Sequence, residues 1–370
     1  MIHTQQEEQN YIEEEAGKEH FIFLLAVGSK GSTLDQLLLF LGSRSVEELN
    51  CLASKIVSSV LLQRKDGDGG PVVSFVNGVW IDQRFHLKPS FEEVAKGVYG
   101  AITKEVDFVT KATEVIEEVN YWAETATKGL IKHLLPKEES LGNDTCLVLA
   151  NALYFKGSWD RKFDPSRTEF KHFHLLDGQI VQAPFMTTMS YERNLYGTFD
   201  GYKVVKLPYQ NGPHNLRFSM YFFLPDATDG FECLVEKTDP TVWNCDSSLV
   251  EEDVKYLWIP RFRFSFELEA SSTMKELGLE LPFMDVGEFT DMMDTDRSPV
   301  LSKVFHKSFI EVNEEGTEAA ASTAPGLILC CARIDPPRFV ADHPFIFTIK
   351  EENSGLVFFI GSVLNPILVS

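Results

Sequence analysis

The segment EEGTEAAASTAPGLILCCAR, residues 314–333, lies between two stretches that both have the pattern of buried strands. VFHKSFIEV precedes it and FVADHPFIFTI follows it. The segment begins with acidic residues, continues with small uncharged ones and ends at two adjacent cysteines and an arginine. Alanine has a low strand propensity, so the segment would not hold a strand alone. Its composition suits a piece of chain that is mobile in one state of the protein and paired as a strand in another.

Written as a strand, the segment has one face without charge, because successive side chains point to opposite faces. The uncharged face carries Thr317, Ala319, Ala321, Thr323, Pro325, Leu327 and Leu329. Between Gly316 and Leu329 the only charged residue, Glu318, falls on the other face. A strand whose first residues are small and uncharged could enter between two existing strands without a large pocket. Gly316 adds the backbone freedom of a hinge; a flexible linker is the alternative interpretation.

Composition and charge exclude several classes of protein. The 370 residues are 44% hydrophobic and 12% aromatic, which is enough for a large core and argues against disorder. A net charge of −21 argues against nucleic acid or an anionic membrane as the partner, because both require a basic surface. No stretch approaches the roughly 20 apolar residues of a membrane span. We therefore expect neither a nucleic-acid nor a membrane partner.

Cysteine usage bears on the cellular compartment. The six cysteines show no CxxC spacing and no short-range framework, which favours reduced thiols in an intracellular protein. The apolar run FIFLLAV (21–27) follows an acidic segment, whereas a signal peptide begins with basic residues. We expect a cytoplasmic protein, and an extracellular location stays open.

Hydrophobic periodicity predicts an α+β fold. Helical spacing dominates the first half: residues 34–62 predict two helices that separate near Gly42, and residues 111–135 predict one helix that stops at Pro136. Strand-like runs bounded by Gly, Pro, Asn and Asp dominate the rest. Helices followed by strands are typical of an α+β fold. We predict an acidic N-terminal segment over residues 1–20, as a solvated or frayed helix, and a single domain over residues 21–370.

None of the candidate chemical motifs predicts an enzyme, a metal site or a cofactor site. GSKGST (28–33) lacks the spacing and the ending of a phosphate-binding loop, so a turn between two helices is favoured. His172 and His174 alternate along a strand, where histidines more often belong to the sheet than to a zinc site. Cys330 and His343 could be a thiol nucleophile and its base, but no residue is visible that would orient the histidine.

Several ordered motifs resemble one known family. VFHKSFIEVNEEGTEAAAST, FVADHPFIFTI and GLVFFIGSVLNP closely resemble the reactive-loop region of serpins, and FVADHPF resembles the plant branch. The resemblance extends from about residue 21 to the end of the chain. It includes FVNGVWID, ATEVIEEVNYWAE, LVLANALYFKGSW, FDGYKVVKLPY, FSMYFFLPD and IPRFRFSF. So many motifs in the same order make chance similarity negligible.

The resemblance implies a fold and a mechanism. The serpin fold has about nine helices around three mostly antiparallel sheets, with an exposed reactive-centre loop here at about residues 314–340. A protease cleaves the loop, and the hinge then inserts as a new middle strand of the large sheet and holds the protease as an acyl-enzyme. Loop insertion in serpins is an established example of strand addition. The expected partner is a serine or cysteine endopeptidase, and the chain is expected to be a monomeric inhibitor, without a cofactor, and not an enzyme.

The same resemblance assigns roles to individual residues. The hinge comprises Glu314, Glu315, Gly316, Thr317, Glu318, Ala319, Ala320, Ala321, Ser322 and Thr323. Counting fifteen residues from the hinge glycine places the cleaved bond at Cys330–Cys331. The alternative bond, Arg333–Ile334, would present a basic residue but leaves only five residues before Phe339.

Three further residues match the region where the sheet opens. Asn151 and His343 match the buried polar pair beneath the opening point, and Trp159 matches the aromatic residue at the top of the strand. Ordinary core packing is the alternative interpretation for all three.

Two departures from the family pattern leave the function open. The serine-bearing segment NxxxSPxS that begins the second helix of serpins is absent, which should leave part of the core uncovered and the His343 site less well hydrogen-bonded. Pro325 has no N–H for a strand ladder, so insertion could stall there. The first hypothesis is an inhibitor that traps its protease. The second is a non-inhibitory serpin that binds a partner or is cleaved as a substrate.

Overall fold

The computed structural model describes most of the chain. The described residues are 12–13, 15–61, 70–136, 141–142, 144–188, 193–211, 216–237, 242–294, 299–316 and 336–368. Within these ranges, no helix is both long enough and apolar enough to cross a membrane.

Seven α-helices and three short 3-10 helices occur in the described ranges. The α-helices are α1 (Glu15–Gly28), α2 (Gly31–Phe40), α3 (Val46–Leu61), α4 (Pro89–Gly97), α5 (Ala112–Ala126), α6 (Phe231–Lys237) and α7 (Ser271–Glu276). The 3-10 helices are Pro165–Arg167, Val242–Ser248 and Leu281–Phe283. The predicted break near Gly42 is confirmed: Gly42 has a φ of 62° between α2 and α3.

The helix predicted over residues 111–135 is wrong in its second half. Helix α5 ends at Ala126, and Lys128 and Gly129 have φ values of 53° and 87°. The Gly129 amide donates to the Glu124 carbonyl at 2.7 Å, which closes the helix end. A glycine in the left-handed region commonly terminates a helix. The apolar residues beyond it, which the spacing assigned to the helix, lie in a non-helical segment that packs into the core.

The strands form most of the second half of the chain and part of the first. They are β1 (Ile12–Glu13), β2 (Val72–Asp82), β3 (His86–Leu87), β4 (Ile102–Val106), β5 (Leu147–Lys156), β6 (Glu169–His174), β7 (Ile180–Thr187), β8 (Arg193–Phe199), β9 (Tyr202–Pro208), β10 (Phe218–Pro225), β11 (Val250–Asp253), β12 (Tyr256–Pro260), β13 (Phe262–Glu269), β14 (Met293–Asp294), β15 (Leu301–Val312), β16 (Arg338–Val340), β17 (Phe345–Glu351) and β18 (Val357–Val363).

These strands form three large sheets and one small ribbon. The five-stranded sheet has the order β13-β15-β5-β2-β4, the four-stranded sheet β16-β12-β7-β6, and the seven-stranded sheet β1-β18-β17-β10-β9-β8-β11. Strands β14 and β3 form the ribbon. The seven-stranded sheet is antiparallel throughout, whereas the five-stranded sheet contains the parallel pairs β15/β5 and β2/β4. The predicted α+β class is confirmed.

The main core lies between the sheets. It includes Phe155 of β5, Phe222 of β10 and Phe347 of β17, all fully buried. A second cluster covers the other face of the five-stranded sheet, where Val119 of α5 packs near Trp80 of β2. The many phenylalanines in alternating runs therefore fill the space between strands of different sheets.

The N-terminal helix is part of this fold. Helix α1 crosses the boundary predicted at residue 20, and β1 pairs with β18. Residues 22–26 are at most 2% exposed. Residues 22–26 of α1 therefore belong to a hydrophobic cluster of the core.

A buried cluster of charges fixes the 3-10 helix 242–248 to the seven-stranded sheet. Lys206 of β9 and Lys350 of β17 are 7% and 4% exposed, and their Nζ atoms lie 3.0 and 2.8 Å from the Asp246 carboxylate. The Tyr221 hydroxyl donates to the same carboxylate. Burial alone would raise the pKa of Asp246, but hydrogen bonds from Lys350, Tyr221 and Lys206 outweigh it and hold the pKa at about 2.

Asp246→Asn should lower the free energy of unfolding at neutral pH and lower it by less at acidic pH. The folded pKa lies below the roughly 3.9 of an unfolded aspartate, so the stabilisation is complete above about pH 4 and is lost as the pH falls toward 2. We expect the urea midpoint of the variant to lie below that of the wild type at pH 7, by more than at pH 3. Asp226→Asn, which breaks the exposed pair with Lys203, is the control and should change little. Equal losses for Asp246→Asn at both pH values would contradict the assignment.

Candidate functional site

The five-stranded sheet is held together at its centre by a parallel pair. Strands β15 and β5 run parallel, from Leu301 opposite Leu147 to Phe309 opposite Tyr154. Both strands continue beyond the last pair, to Val312 and Lys156. Their ladder therefore ends before they do, and we call this end, where β15 and β5 are no longer paired with each other, the open end of the sheet.

The chain turns back immediately after β15. The Asn313 amide donates to the Gly316 carbonyl at 3.0 Å, and the Gly316 amide donates to the Asn313 carbonyl at 3.2 Å. Gly316 has a φ of 116°, a conformation that favours glycine. The predicted hinge glycine thus lies at the turn that starts the loop.

The turn is fixed to the segment that follows β5. The Trp159 amide donates to the Glu315 carbonyl at 3.0 Å, and the Phe163 amide donates to the Glu314 carbonyl at 2.9 Å. The Trp159 indole Nε1 donates to the Asn313 carbonyl at 2.9 Å. The first hinge residues are therefore bound to the open end of the sheet.

Trp159 is a rigid part of this anchor. It is 1% exposed and stacks on Tyr209 with ring centroids 4.5 Å apart. The Phe163 ring packs edge-on against the indole, with the two ring centroids 6.3 Å apart. Such aromatic pairs stabilise the protein beyond the burial of their surface. They hold the indole nitrogen within hydrogen-bonding distance of the Asn313 carbonyl. Trp159 follows the end of β5 by three residues.

Glu314 is a buried acid with two polar partners from other elements. It is 6% exposed, and its carboxylate accepts a hydrogen bond from the Thr168 hydroxyl. Arg261, between β12 and β13, places its Nε 3.5 Å from the other carboxylate oxygen. Thr168 and Arg261 were not predicted from the sequence, because both come from segments of the chain distant from Glu314. Arg261 lies within the motif IPRFRFSF, but the motif does not show which residue it contacts.

A polar cluster lies within the core below the opening. His306 of β15 and Asn151 of β5 stand opposite each other, with Nδ1 and Oδ1 2.8 Å apart. The Asn151 Nδ2 donates to the Asn77 Oδ1 at 2.7 Å and to the Val76 carbonyl at 3.2 Å. The contact between His306 and Asn151 crosses the parallel pair, so β15 and β5 cannot separate without breaking it. The bonds to Asn77 and Val76 join β5 to β2 instead.

The predicted pairing of Asn151 with His343 is wrong. His343 precedes β17, on another sheet, where its Nε2 lies 3.0 Å from the Pro225 carbonyl and its Nδ1 2.8 Å from Asp342. Both ring nitrogens are engaged, contrary to the expectation of a poorly hydrogen-bonded site. A visible signal pointed to His306: it is a polar residue on the buried face of a strand that leads directly into the hinge.

A double-mutant cycle distinguishes the two histidines. We expect Asn151→Ala and His306→Ala to couple by about 1 kcal/mol or more, because each removes the other's partner. Asn151→Ala and His343→Ala should be additive to within about 0.5 kcal/mol. Urea unfolding of the single and double variants measures both terms. Coupling to His343 and not to His306 would contradict the geometry.

The remaining predicted sites are a turn within the described residues and loop residues outside them. The turn GSKGST joins α1 to α2 as predicted, and its Ser32 amide binds the Glu288 carboxylate at 2.8 Å. The hinge residues Thr317, Glu318, Ala319, Ala320, Ala321, Ser322 and Thr323 lie outside the described residues, as do Cys330, Cys331, Arg333 and Ile334. No group of three or more potential metal ligands occurs in the parts of the chain that the structure describes.

Comparison with known proteins identifies the family. The family model described as "Serpin (serine protease inhibitor)" matches residues 20–366. The chain belongs to the serpin family. Its relatives include Serpin-ZXA of Oryza sativa subsp. japonica, 48% identical over 352 residues that cover 94% of this chain and 88% of the relative. Serpin-ZX of Arabidopsis thaliana is 44% identical and covers 99% of this chain and 95% of the relative.

The structural comparison agrees with this assignment. An Arabidopsis serpin solved in its native stressed conformation matches this serpin with a TM-score of 0.88 and 42% identity. The match covers 99% of this chain and 94% of that structure. The resemblance to plant serpins is confirmed, and the family is one of protease inhibitors and not of enzymes.

Proposed function

We propose that this serpin inhibits a serine or cysteine protease by inserting its cleaved loop between β15 and β5. The observation that carries the proposal is the parallel pair at the centre of the five-stranded sheet, with the hinge turn at its open end. A chain that turns back after β15 runs antiparallel to β15 and, because β5 is parallel to β15, antiparallel to β5 as well. Insertion would replace one parallel ladder by two antiparallel ladders, which are slightly more stable per residue.

The length of the loop fits this movement. Residues 317–330 are fourteen residues, and the neighbouring strand β15 has twelve. A strand rises about 3.3 Å per residue, so a tail cut at Cys330 could span the whole of β15. About a dozen new ladder bonds at ~1 kcal/mol net each would supply on the order of 10 kcal/mol. That free energy can offset distortion of the captured enzyme.

The covalent step begins with attack by the protease nucleophile on the carbonyl of Cys330. The peptide bond to Cys331 breaks, the Cys331 amine leaves with a proton, and Cys330 remains as an ester or thioester on the protease. Insertion of the hinge before water attacks this ester would leave the protease attached. Release of the protease by water is the substrate outcome.

The second candidate function is a non-inhibitory serpin. Pro325 is the ninth residue after Gly316, within the part of the loop that must insert. It has no amide proton for a ladder, and proline is disfavoured within sheets. A tail that stalls there would insert only residues 317–324, and the protease would then be released.

A panel of trypsin-like, chymotrypsin-like and papain-like proteases separates the two functions. An SDS-resistant complex with one of them supports trapping. Complete cleavage by every protease that cuts the loop, with no complex, overturns trapping and supports the substrate alternative. The N-terminal sequence of the released fragment distinguishes the two bonds, since it begins at Cys331 for the preferred one and at Ile334 for the alternative.

A further inference from the structure

Two histidines project from the same face of an edge strand. Strand β6 pairs with β7 through six consecutive residue pairs, Glu169–Phe185 to His174–Ile180, without a register shift. Because side chains alternate along a regular strand, His172 and His174 share one face, with Cα atoms about 6.7 Å apart. Strand β6 is the outermost strand of the four-stranded sheet among the described residues.

Their backbone spacing is well fixed. Beyond the ladder with β7, the His174 amide donates to the Asp342 carbonyl at 2.8 Å. The buried Phe173 between the two histidines anchors the other face of the strand in the core. The backbone that carries the two imidazoles is therefore fixed by the ladder with β7, by the Asp342 carbonyl and by the buried Phe173 side chain.

The surroundings leave both rings available to a ligand. His172 is exposed and His174 half-buried, and no hydrogen bond or ion pair joins either ring to another described residue. Their cross-strand partners are the uncharged Gln182 and Ile180. The nearest basic residue in sequence, Lys171, points to the opposite face, where its Nζ lies 3.8 Å above the Trp258 ring. Neither cross-strand partner therefore places a positive charge beside the two imidazoles.

We propose that His172 and His174 together bind one divalent transition-metal ion of the Zn²⁺, Ni²⁺ or Cu²⁺ class. Imidazole nitrogen is a preferred ligand for these ions, with Zn–N bonds of about 2.0–2.1 Å. Two rings on alternate residues of one strand can turn toward each other and share the ion. No third acidic, cysteine or histidine ligand lies close enough within the described residues, so water completes the coordination. Two protein ligands without a second shell give a modest affinity and a site that exchanges with solvent.

Titration calorimetry with zinc chloride, and separately with nickel chloride, tests the site. The protein is untagged, and its thiols are blocked with iodoacetamide because Cys51 and Cys233 are exposed and free. We expect one ion per chain at this site. His172→Gln and His174→Gln should each weaken binding at least tenfold, because either change leaves a single imidazole.

His133→Gln is the matched control, since it removes an exposed histidine elsewhere on the surface. It should leave the affinity unchanged. The site is overturned if neither substitution in β6 weakens binding, or if His133→Gln weakens it as much. A stoichiometry of half an ion per chain with a doubled mass in light scattering would also overturn it, since the ion would then bridge two copies. Melting temperature gives a second readout: zinc should raise it for the wild type and not for either β6 variant. None of these results depends on protease inhibition.

Discussion

Under the proposed trapping mechanism, replacing Ala321 with arginine is expected to give a protein that proteases cleave without being retained. Ala321 lies on the uncharged face of the hinge segment, which would face the interior when the segment becomes a strand. An arginine there would bury a charge without a partner, at a cost of several kcal/mol. This cost arises early in insertion, before most of the new ladder has formed. Hydrolysis of the acyl-enzyme should therefore be faster than insertion.

The matched control is the neighbouring residue. Ala320 lies on the face that already carries Glu318, so Ala320→Arg should leave most of the trapping intact. The yield of SDS-resistant complex per cleaved chain measures both variants. Loss of the complex in both variants, or in neither, would show that the two faces of the hinge do not differ in the inserted state.

The second large effect is expected for Gly316→Ala, which should destabilise the native hinge. A Cβ at this position would lie 2.2 Å from the Gly157 carbonyl oxygen and 2.6 Å from the Ser158 Cα and the Trp159 nitrogen. All three are backbone atoms, so the turn or the anchoring segment must move. The φ of 116° adds a cost of about 1–2 kcal/mol for a residue with a side chain. We expect a total loss of about 3 kcal/mol or more in the free energy of unfolding.

Gly178→Ala separates the two contributions. Gly178 has a φ of 84°, and no atom lies within 4 Å of its added Cβ. The free energy of unfolding of Gly178→Ala should fall only by the backbone contribution, about 1–2 kcal/mol. Urea unfolding measures both variants. Equal losses at the two glycines would mean that the hinge turn does not press against the segment after β5.

Local patterns were enough to predict most individual elements. The alternating run around VFHKSFIEV is strand β15, and the helical spacing on either side of Gly42 is α2 and α3. The run YLWIPRFRFSFELEA has one continuous strand-like pattern, yet it forms β12 and β13 on two different sheets. Proline at residue 260 and Arg261 mark the change. Periodicity describes burial along a strand and does not state which sheet the strand joins.

The site was predictable where it is local and not where it depends on pairing. Gly316 lies at the turn because the backbone conformation needed there is available to glycine. The partner of Asn151 depends on the register of β15 against β5, a contact 155 residues apart in sequence. A single sequence does not contain that register, and the prediction from sequence therefore pairs Asn151 with His343 and not with His306. The same holds for Arg261, which reaches Glu314 only after β12 and β13 are placed.

Loop insertion requires β15 and β5 to separate, and a crystal structure of the protein after loop cleavage would show whether they do. In the native state Asn151 and His306 lie opposite each other on adjacent strands, which in a sheet are about 4.8 Å apart. We expect six strands in this sheet after cleavage, with residues from Thr317 onward between β5 and β15. The separation of these two strands should double to about 9.6 Å. A cleaved protein in which β5 and β15 are still paired, with His306 on Asn151, would contradict it.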